Sequence, residues 1–297
     1  MKKVFKIFNF RNDRLEMIEA CNGIITQYQA QKLTLTLRQL YYQLVTKNVI
    51  SNEERSYKTL ENLVSDGRLA GLIDWDAIED RVRVPRIPQE FKDLPELVRA
   101  AHDAYRLPRW KGQENYVELW VEKDAISGVL APLANQYHIT LMVNRGYSSQ
   151  SAMYESANRF KAEYIKSRKP DTKLKQGRLL YLGDHDPSGE DMVRDISDRL
   201  EMFGADVIVE KIALTMDQVQ EYNPPPNPTK LTDSRAAGYI EKYGDSSWEV
   251  DALPPEVLHR IVKDAILNYV DLWRMQEVKR QEEVDKKLLM EFIKSVK

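Results

Sequence analysis

Arg178-Leu-Leu-Tyr-Leu-Gly-Asp-His-Asp-Pro-Ser-Gly-Glu-Asp191 is the stretch whose reading decides the fold. Residues 179–182 form a short apolar run that reads as a buried strand. Two carboxylates follow, Asp184 and Asp186. Pro187 and Gly189 then break the strand, and Met192, Ile196 and Leu200 recur at helical spacing. Side chains two apart in a strand share a face, so both carboxylates are expected to converge on one point. Two acids at the carboxyl end of a strand, where the chain turns into a helix, suit a hard divalent cation such as Mg²⁺.

Working outward, the pattern alternates. Residues 116–121, 139–143, 179–183 and 206–209 read as strands, and 125–136, 149–167 and 191–202 as helices between and after them. That order implies an α/β fold with a mostly parallel sheet between helices. Catalytic groups in such sheets gather where the strands end. The first strand runs into Glu122, which places a third carboxylate at the rim of Asp184 and Asp186. The second runs into Asn144-Arg145-Gly146-Tyr147-Ser148-Ser149, a tight turn with serine caps for the next helix. Three acids together repel one another without cations, and two Mg²⁺ ions at such a cluster would hold a scissile phosphate. The plainer reading of Glu122 is a salt bridge with Lys123 or a nearby arginine.

Toward the amino terminus the pattern is helical. Leu15, Ile18, Ile25 and Tyr28 mark a helix over residues 13–30, and Thr36 is a plausible N-cap for a second helix reaching Thr46. A third fits 57–73. Residues 80–86 then alternate basic and apolar, as an exposed strand or wing does. Three short helices and a strand bearing Arg81, Arg83 and Arg86 suggest a winged-helix module whose arginines touch DNA phosphates. An edge strand protected by charge explains the same pattern.

Two adjacent tyrosines separate by spacing. Leu37, Leu40, Tyr41 and Leu44 fall on one helical stripe, so Tyr41 belongs to the core. Tyr42 is rotated off it and stands one turn beyond Arg38, which predicts an exposed phenol beside a guanidinium. Such a pair is either a surface tyrosine with a hydrogen-bonding neighbour or a nucleophile for a phosphodiester, with Arg38 stabilising phosphate charge.

Residues 87–115 are rich in proline and charge, with a helical piece near 93–105. The expected division is residues 1–90 as the winged-helix unit, 91–115 as linker and 116–297 as the α/β unit with a helical extension. Beyond residue 210, Tyr222-Asn-Pro-Pro-Pro-Asn-Pro228 reads as a stiff connector. Glu249 and Asp251 are further acids within conceivable reach of the rim. Residues 274–297 read as a heavily charged helix, solvated or serving as a dimer arm.

Bulk properties bound the rest. The 297 residues are 42% hydrophobic and 30% charged, enough for a sizeable core, and the formal net charge is −2. Residues 1–50 carry eight Lys or Arg against three acids, a basic bias that by itself describes a solvated face. One cysteine, Cys21, and four scattered histidines exclude a disulfide framework and give no zinc-spaced pair. A reducing cytoplasm fits. Lys6 interrupts the opening apolar run, which argues against a signal peptide. No stretch is expected to span a membrane, and no Gly-rich loop leading to Lys-Ser/Thr marks an ATPase motor.

These residues resemble a known family. Val121-Glu-Lys-Asp124, Gly146-Tyr147-Ser148 and Gly183-Asp-His-Asp-Pro-Ser-Gly189 look like a Toprim domain. More narrowly, they are similar to the version in the topoisomerase VI A subunit and its meiotic double-strand-break relatives. Those proteins place a winged-helix (CAP-like) domain before the Toprim domain, with an Arg-x-x-x-Tyr that Arg38-Gln-Leu-Tyr-Tyr42 matches. The resemblance implies Tyr42 as transesterification nucleophile forming a 5′-phosphotyrosine link, and Arg38 as helper at the phosphate. It implies Glu122, Asp184 and Asp186 as ligands of Mg²⁺, or of Mn²⁺ in its place, with Glu122 aiding proton transfer. It further implies double-stranded DNA as partner, a nucleoid-associated cytoplasmic setting, a homodimer sharing composite sites, and a separate ATPase or regulatory subunit. The chain is short for such a subunit, and residues 222–228 and 248–252 match nothing in it. A Toprim nuclease in which water attacks, and a DNA-binding or end-recognition protein without cleavage, are the competing expectations.

Overall fold

The computed structural model describes residues 1–79, 88–167 and 174–295. The arginines expected on a wing, Arg81, Arg83 and Arg86, lie outside the described residues.

Three helices come first: α1 (Asn12–Ala30), α2 (Leu37–Thr46) and α3 (Glu54–Leu69). α2 starts where the sequence indicates. Thr36 Oγ1 accepts from Gln39 N (3.3 Å) while Gln39 Oε1 accepts from Thr36 N (2.8 Å), closing a capping box. The third helix starts earlier and ends earlier than its apolar spacing suggests. Its last turn gives way before Gly71, which has φ 72° and lets the chain turn so that Ile73 packs inward. Leu35 pairs with Ile78 as a short parallel bridge behind these helices.

The remainder is an α/β layer structure. β1 (Asn115–Val121), β2 (Thr140–Val143), β3 (Gln176–Leu182) and β4 (Val207–Ala213) form one all-parallel sheet in the order β2-β1-β3-β4. α5 (Asp124–Tyr137), α6 (Gln150–Lys166) and α7 (Pro187–Met202) supply the crossovers. Alternation along the strands feeds two separate cores. Trp120, Leu179 and Tyr181 pack beneath α6 and α7 with Met153, Phe160, Met192 and Ile196. Leu119, Val121, Leu180 and Leu182 face the other way, onto α5 and α10 (Pro255–Leu267). This second core runs without interruption into Ile18, Leu40, Leu44 and Leu60 of the amino-terminal helices. The two halves therefore share one apolar interior.

Residues 91–115, expected as a linker, are built into that body. α4 (Leu94–Ala104) begins at the Asp93 cap and packs along α11 (Leu272–Ser295). Leu107 N and Arg109 both reach Glu282 (3.0 and 2.9 Å), and the buried Trp110 indole donates to Tyr137 O at 2.9 Å. Between β4 and α10 lie α8 (Met216–Tyr222), α9 (Ala236–Tyr243) and an antiparallel pair, β5 (Asn227–Pro228) with β6 (Ser246–Ser247). The proline-rich connector thus ends in a small sheet, and Asn52 Nδ2 donates to Pro226 O and Asn227 Oδ1 (3.0 and 2.8 Å), tying it to the amino-terminal helices. Among the described residues no helix is long and apolar enough to cross a membrane.

Candidate functional site

Asp184 sits two residues beyond the end of β3 and is buried. Four contacts fix it. Its N–H donates to Glu122 Oε2 (2.9 Å), and its carbonyl accepts from Lys211 Nζ (2.8 Å). Its Oδ1 accepts from Val250 N (2.9 Å), and Oδ2 pairs with Lys123 Nζ (2.8 Å). α7 approaches so closely that a Cβ on Gly189 would stand 2.2 Å from the Asp184 carbonyl oxygen. Only glycine fits there.

Asp186 stands on the helix side of the turn. It is the N-cap of α7, its Oδ1 accepting from Gly189 N (2.6 Å) and Ser188 Oγ (2.9 Å). The expectation of a shared face relied on strand alternation, which stops at Leu182. Glu122 lies beside Asp184, held by the Asp184 N–H and by the Tyr181 hydroxyl at 3.4 Å. Among the described residues no three His, Cys, Asp or Glu side chains are grouped as ligands of one ion.

Lys123 pairs with Asp184, not with Glu122. Its ammonium also meets Glu249 Oε2 (2.7 Å) and Asp251 Oδ1 (3.1 Å). Those two acids belong to the segment after β6, which pairs with the rim through His185 N to Trp248 O (2.8 Å) and Trp248 N to His185 O (3.0 Å). The same acids bind Arg38 of α2: its guanidinium meets Glu249 Oε2, and its Nε lies 3.2 Å from Asp251 Oδ2. The structure thus brings Arg38, Lys123, Asp184, Glu249 and Asp251 into one chain of ion pairs within a single polypeptide. The segment that the resemblance left unmatched carries two of its acids.

Tyr42 corrects its expectation. It is 5% exposed, where helical spacing predicted an exposed phenol. Residues 250–252 fold onto that face of α2, a contact more than two hundred residues away along the chain. Tyr42 packs edge-on to Tyr41 (5.2 Å), and the Arg38 guanidinium lies 5.7 Å from its ring centre. Tyr41 is on the apolar stripe as expected, with its hydroxyl on Asn52 Oδ1 at 2.9 Å.

The electrostatics follow from burial and from an excess of acids. Burial pushes the Tyr42 phenol above its ordinary value, and the Glu249 charge adds to this while Arg38 opposes it. Burial pushes the Asp184 carboxyl up to about 7 against the pull of Lys123, with Glu122, Asp251 and Glu249 reinforcing the rise. Burial also disfavours the charge on Glu249, but Lys123 and Arg38 overcome it and hold that carboxyl at about 2. Burial works against the Lys123 ammonium, yet Asp251, Asp184 and Glu249 hold it above its ordinary value. Asp184, Glu249 and Asp251 share two cations, Lys123 and Arg38. One oxygen of buried Asp251, Oδ2, accepts no hydrogen bond and is met only by the Arg38 ion pair at 3.2 Å. In kind, a surplus of buried carboxylate oxygens fits a hard divalent cation.

His185, between the two aspartates, is structural. It is buried among Tyr239, Tyr243 and Trp248, with Nδ1 2.6 Å from the Tyr239 hydroxyl. Spacing singled out Tyr42, Arg38, Glu122, Asp184 and Asp186. Lys123 carried one local signal, its place at the end of β1. No family model matches this chain, and no curated protein matches it.

Proposed function

We propose that the chain is a metal-dependent DNA-cleaving protein of the topoisomerase VI A type. In this reading the amino-terminal helices are a winged-helix unit, the parallel sheet is a Toprim domain, and Tyr42 is the nucleophile. The observation that carries it is the position of Glu249. Its carboxylate is met by Arg38 and by Lys123, beside Tyr42. An anion held there between two cations and a phenol stands where a phosphodiester must stand to be attacked by Tyr42.

Arg38 and Lys123 would transfer from Glu249 to the phosphate and neutralise the charge that develops in the transition state. Withdrawing both cations raises the basicity of Glu249, the adjacent carboxylate, which takes the phenolic proton. The Tyr42 Oη–phosphorus bond forms, the bond from phosphorus to the 3′ oxygen breaks, and that oxygen leaves as a hydroxyl on taking a proton from water by way of Glu122, while Glu249 returns the phenolic proton to solvent. The product is a 5′-phosphotyrosine. Glu122, Asp184 and Asp186 would hold Mg²⁺ or Mn²⁺, which supplies Lewis-acid neutralisation of the phosphate when bound. Homodimer formation and a separate ATPase or regulatory partner belong to the same proposal, as does a nucleoid-associated setting.

The burial of Tyr42 favours a second reading, a Toprim nuclease in which water attacks and Tyr42 only packs. Labelled duplex DNA incubated with the full chain and Mg²⁺, then run on a denaturing gel, separates the two. The first reading gives a protein–DNA adduct that Tyr42→Phe abolishes and Asp184→Asn reduces by about a hundredfold or more. Free cleaved ends that persist in Tyr42→Phe select the second. Retention of DNA without cleavage in any variant overturns both in favour of a binding protein.

A further inference from the structure

Residues 1–14 form a surface unrelated to the rim. The segment is held to the amino-terminal helices by Phe5 N and Lys6 N, which both donate to Leu69 O (2.8 and 3.0 Å), and by a bridge between Val4 and Ala70. Its side chains stay outside: Phe5 is 59% exposed, and Trp75 beside it is 37% exposed. Phe5 meets Trp75 edge-on at 5.7 Å, and Phe8 stacks on Phe10 at 5.5 Å.

Cations alternate with these rings. Lys3 lies 5.2 Å from the centre of Phe5, Lys6 5.0 Å from Phe8, and Arg68 5.3 Å from Trp75. Three acids of the adjoining helices and turn are already engaged: Asp66 pairs with Arg14 at 3.5 Å, and Asp74 and Asp76 with the Met1 amino group. Lys2, Lys3, Lys6 and Arg11 make no ion pair with a described carboxylate. The strip therefore offers π faces and unneutralised positive charge together.

A single-stranded nucleic acid presents the complement of both features, unstacked base faces and a phosphate for each base. A duplex presents phosphates but hides its base faces. The geometry points to a binding surface for single-stranded nucleic acid, with bases stacking on Phe5 and Trp75 and phosphates meeting Lys2, Lys3, Lys6 and Arg11. This surface does not depend on cleavage by Tyr42, and it gives the chain a means of holding an unpaired strand.

The test is fluorescence anisotropy of a labelled twenty-residue oligo-dT with the full chain, repeated on a duplex of equal length. Phe5→Ala is expected to weaken oligo-dT binding by about tenfold, in line with the loss of one stacked base. Lys3→Glu with Lys6→Glu is expected to weaken it further and to flatten its salt dependence. Trp273→Ala removes a more exposed ring elsewhere, 69% exposed on α11, and is expected to change nothing. Oligo-dT affinity that is unaltered in the strip variants overturns the proposal. So does binding of phosphatidylserine vesicles, or self-association in sedimentation, that the same variants abolish while oligo-dT binding persists. Because the readout is binding, an absence of adducts leaves it intact.

Discussion

Two buried charge clusters begin on the same strand, four residues apart, and they are built differently. Glu118, within β1, is fully buried, and both its oxygens are satisfied. Oε1 accepts from Arg159 Nε and the Tyr116 hydroxyl, each at 2.9 Å, and Oε2 from Arg159 Nη2 at 2.9 Å and the Trp120 indole at 2.8 Å. One acid meets one base, and every partner lies within the sheet and its covering helix. Beyond the strand end, Glu122 and Lys123 open onto a cluster in which acids outnumber bases and the partners come from both ends of the chain. A saturated, neutral pair supports a fold. An unbalanced cluster at a strand rim is the arrangement that a cationic or phosphate-bearing ligand completes.

That contrast can be broken most directly by neutralising one acid in each cluster. Glu118→Ala leaves Arg159 without its partner, and its urea unfolding is expected to show a loss of about 3–5 kcal/mol. Asp184→Asn keeps an acceptor for Val250 N and relieves the surplus charge, so its unfolding free energy is expected within about 1 kcal/mol of the parent. Equal losses in the two variants would erase the distinction. Gly189→Ala tests whether the rim depends on the close approach of α7. The clash with the Asp184 carbonyl is expected to cost about 1–3 kcal/mol in the same measurement.

Smaller effects probe the link between the halves. A double-mutant cycle with Arg38→Ala and Glu249→Ala is expected to give a coupling of about 0.5–1 kcal/mol, because Arg38 is partly exposed and solvent screens the pair. Its pH dependence carries the smallest signal. The folded value of Glu249, about 2, lies below its ordinary value of 4.5. Its contribution is therefore present above pH 4.5 and lost as pH falls through about 2. The difference in urea midpoint between parent and Glu249→Gln is expected to shrink across that window.

Local periodicity made the sheet and most helix positions legible. Alternation in residues 116–121 and 179–182 and the Thr36 cap are near-neighbour effects, and the chain keeps them. The rim positions of Glu122 and Asp184 were legible for the same reason. The partners of those residues were not. Glu249 and Asp251 sit in a short irregular segment with no periodicity, and it is the pairing of Trp248 with His185 that delivers them. Tyr42 shows the converse: helical phase tells which way a side chain leaves its own helix, but not what a distant segment lays over it. Asp186 shows a third limit, since its capping of α7 is set by the turn and not by strand alternation.

The span between Arg38 and Glu249 is 211 residues. At synthesis rates of 5–20 residues per second, roughly 10–40 s pass between the emergence of one and of the other. Throughout that interval the amino-terminal helices carry an unpaired guanidinium and an uncovered phenol. Completion of the ion-pair chain therefore waits for residues 249–251 to emerge, and a ribosome stalled before residue 249 would display Tyr42 on a surface that the folded protein keeps covered.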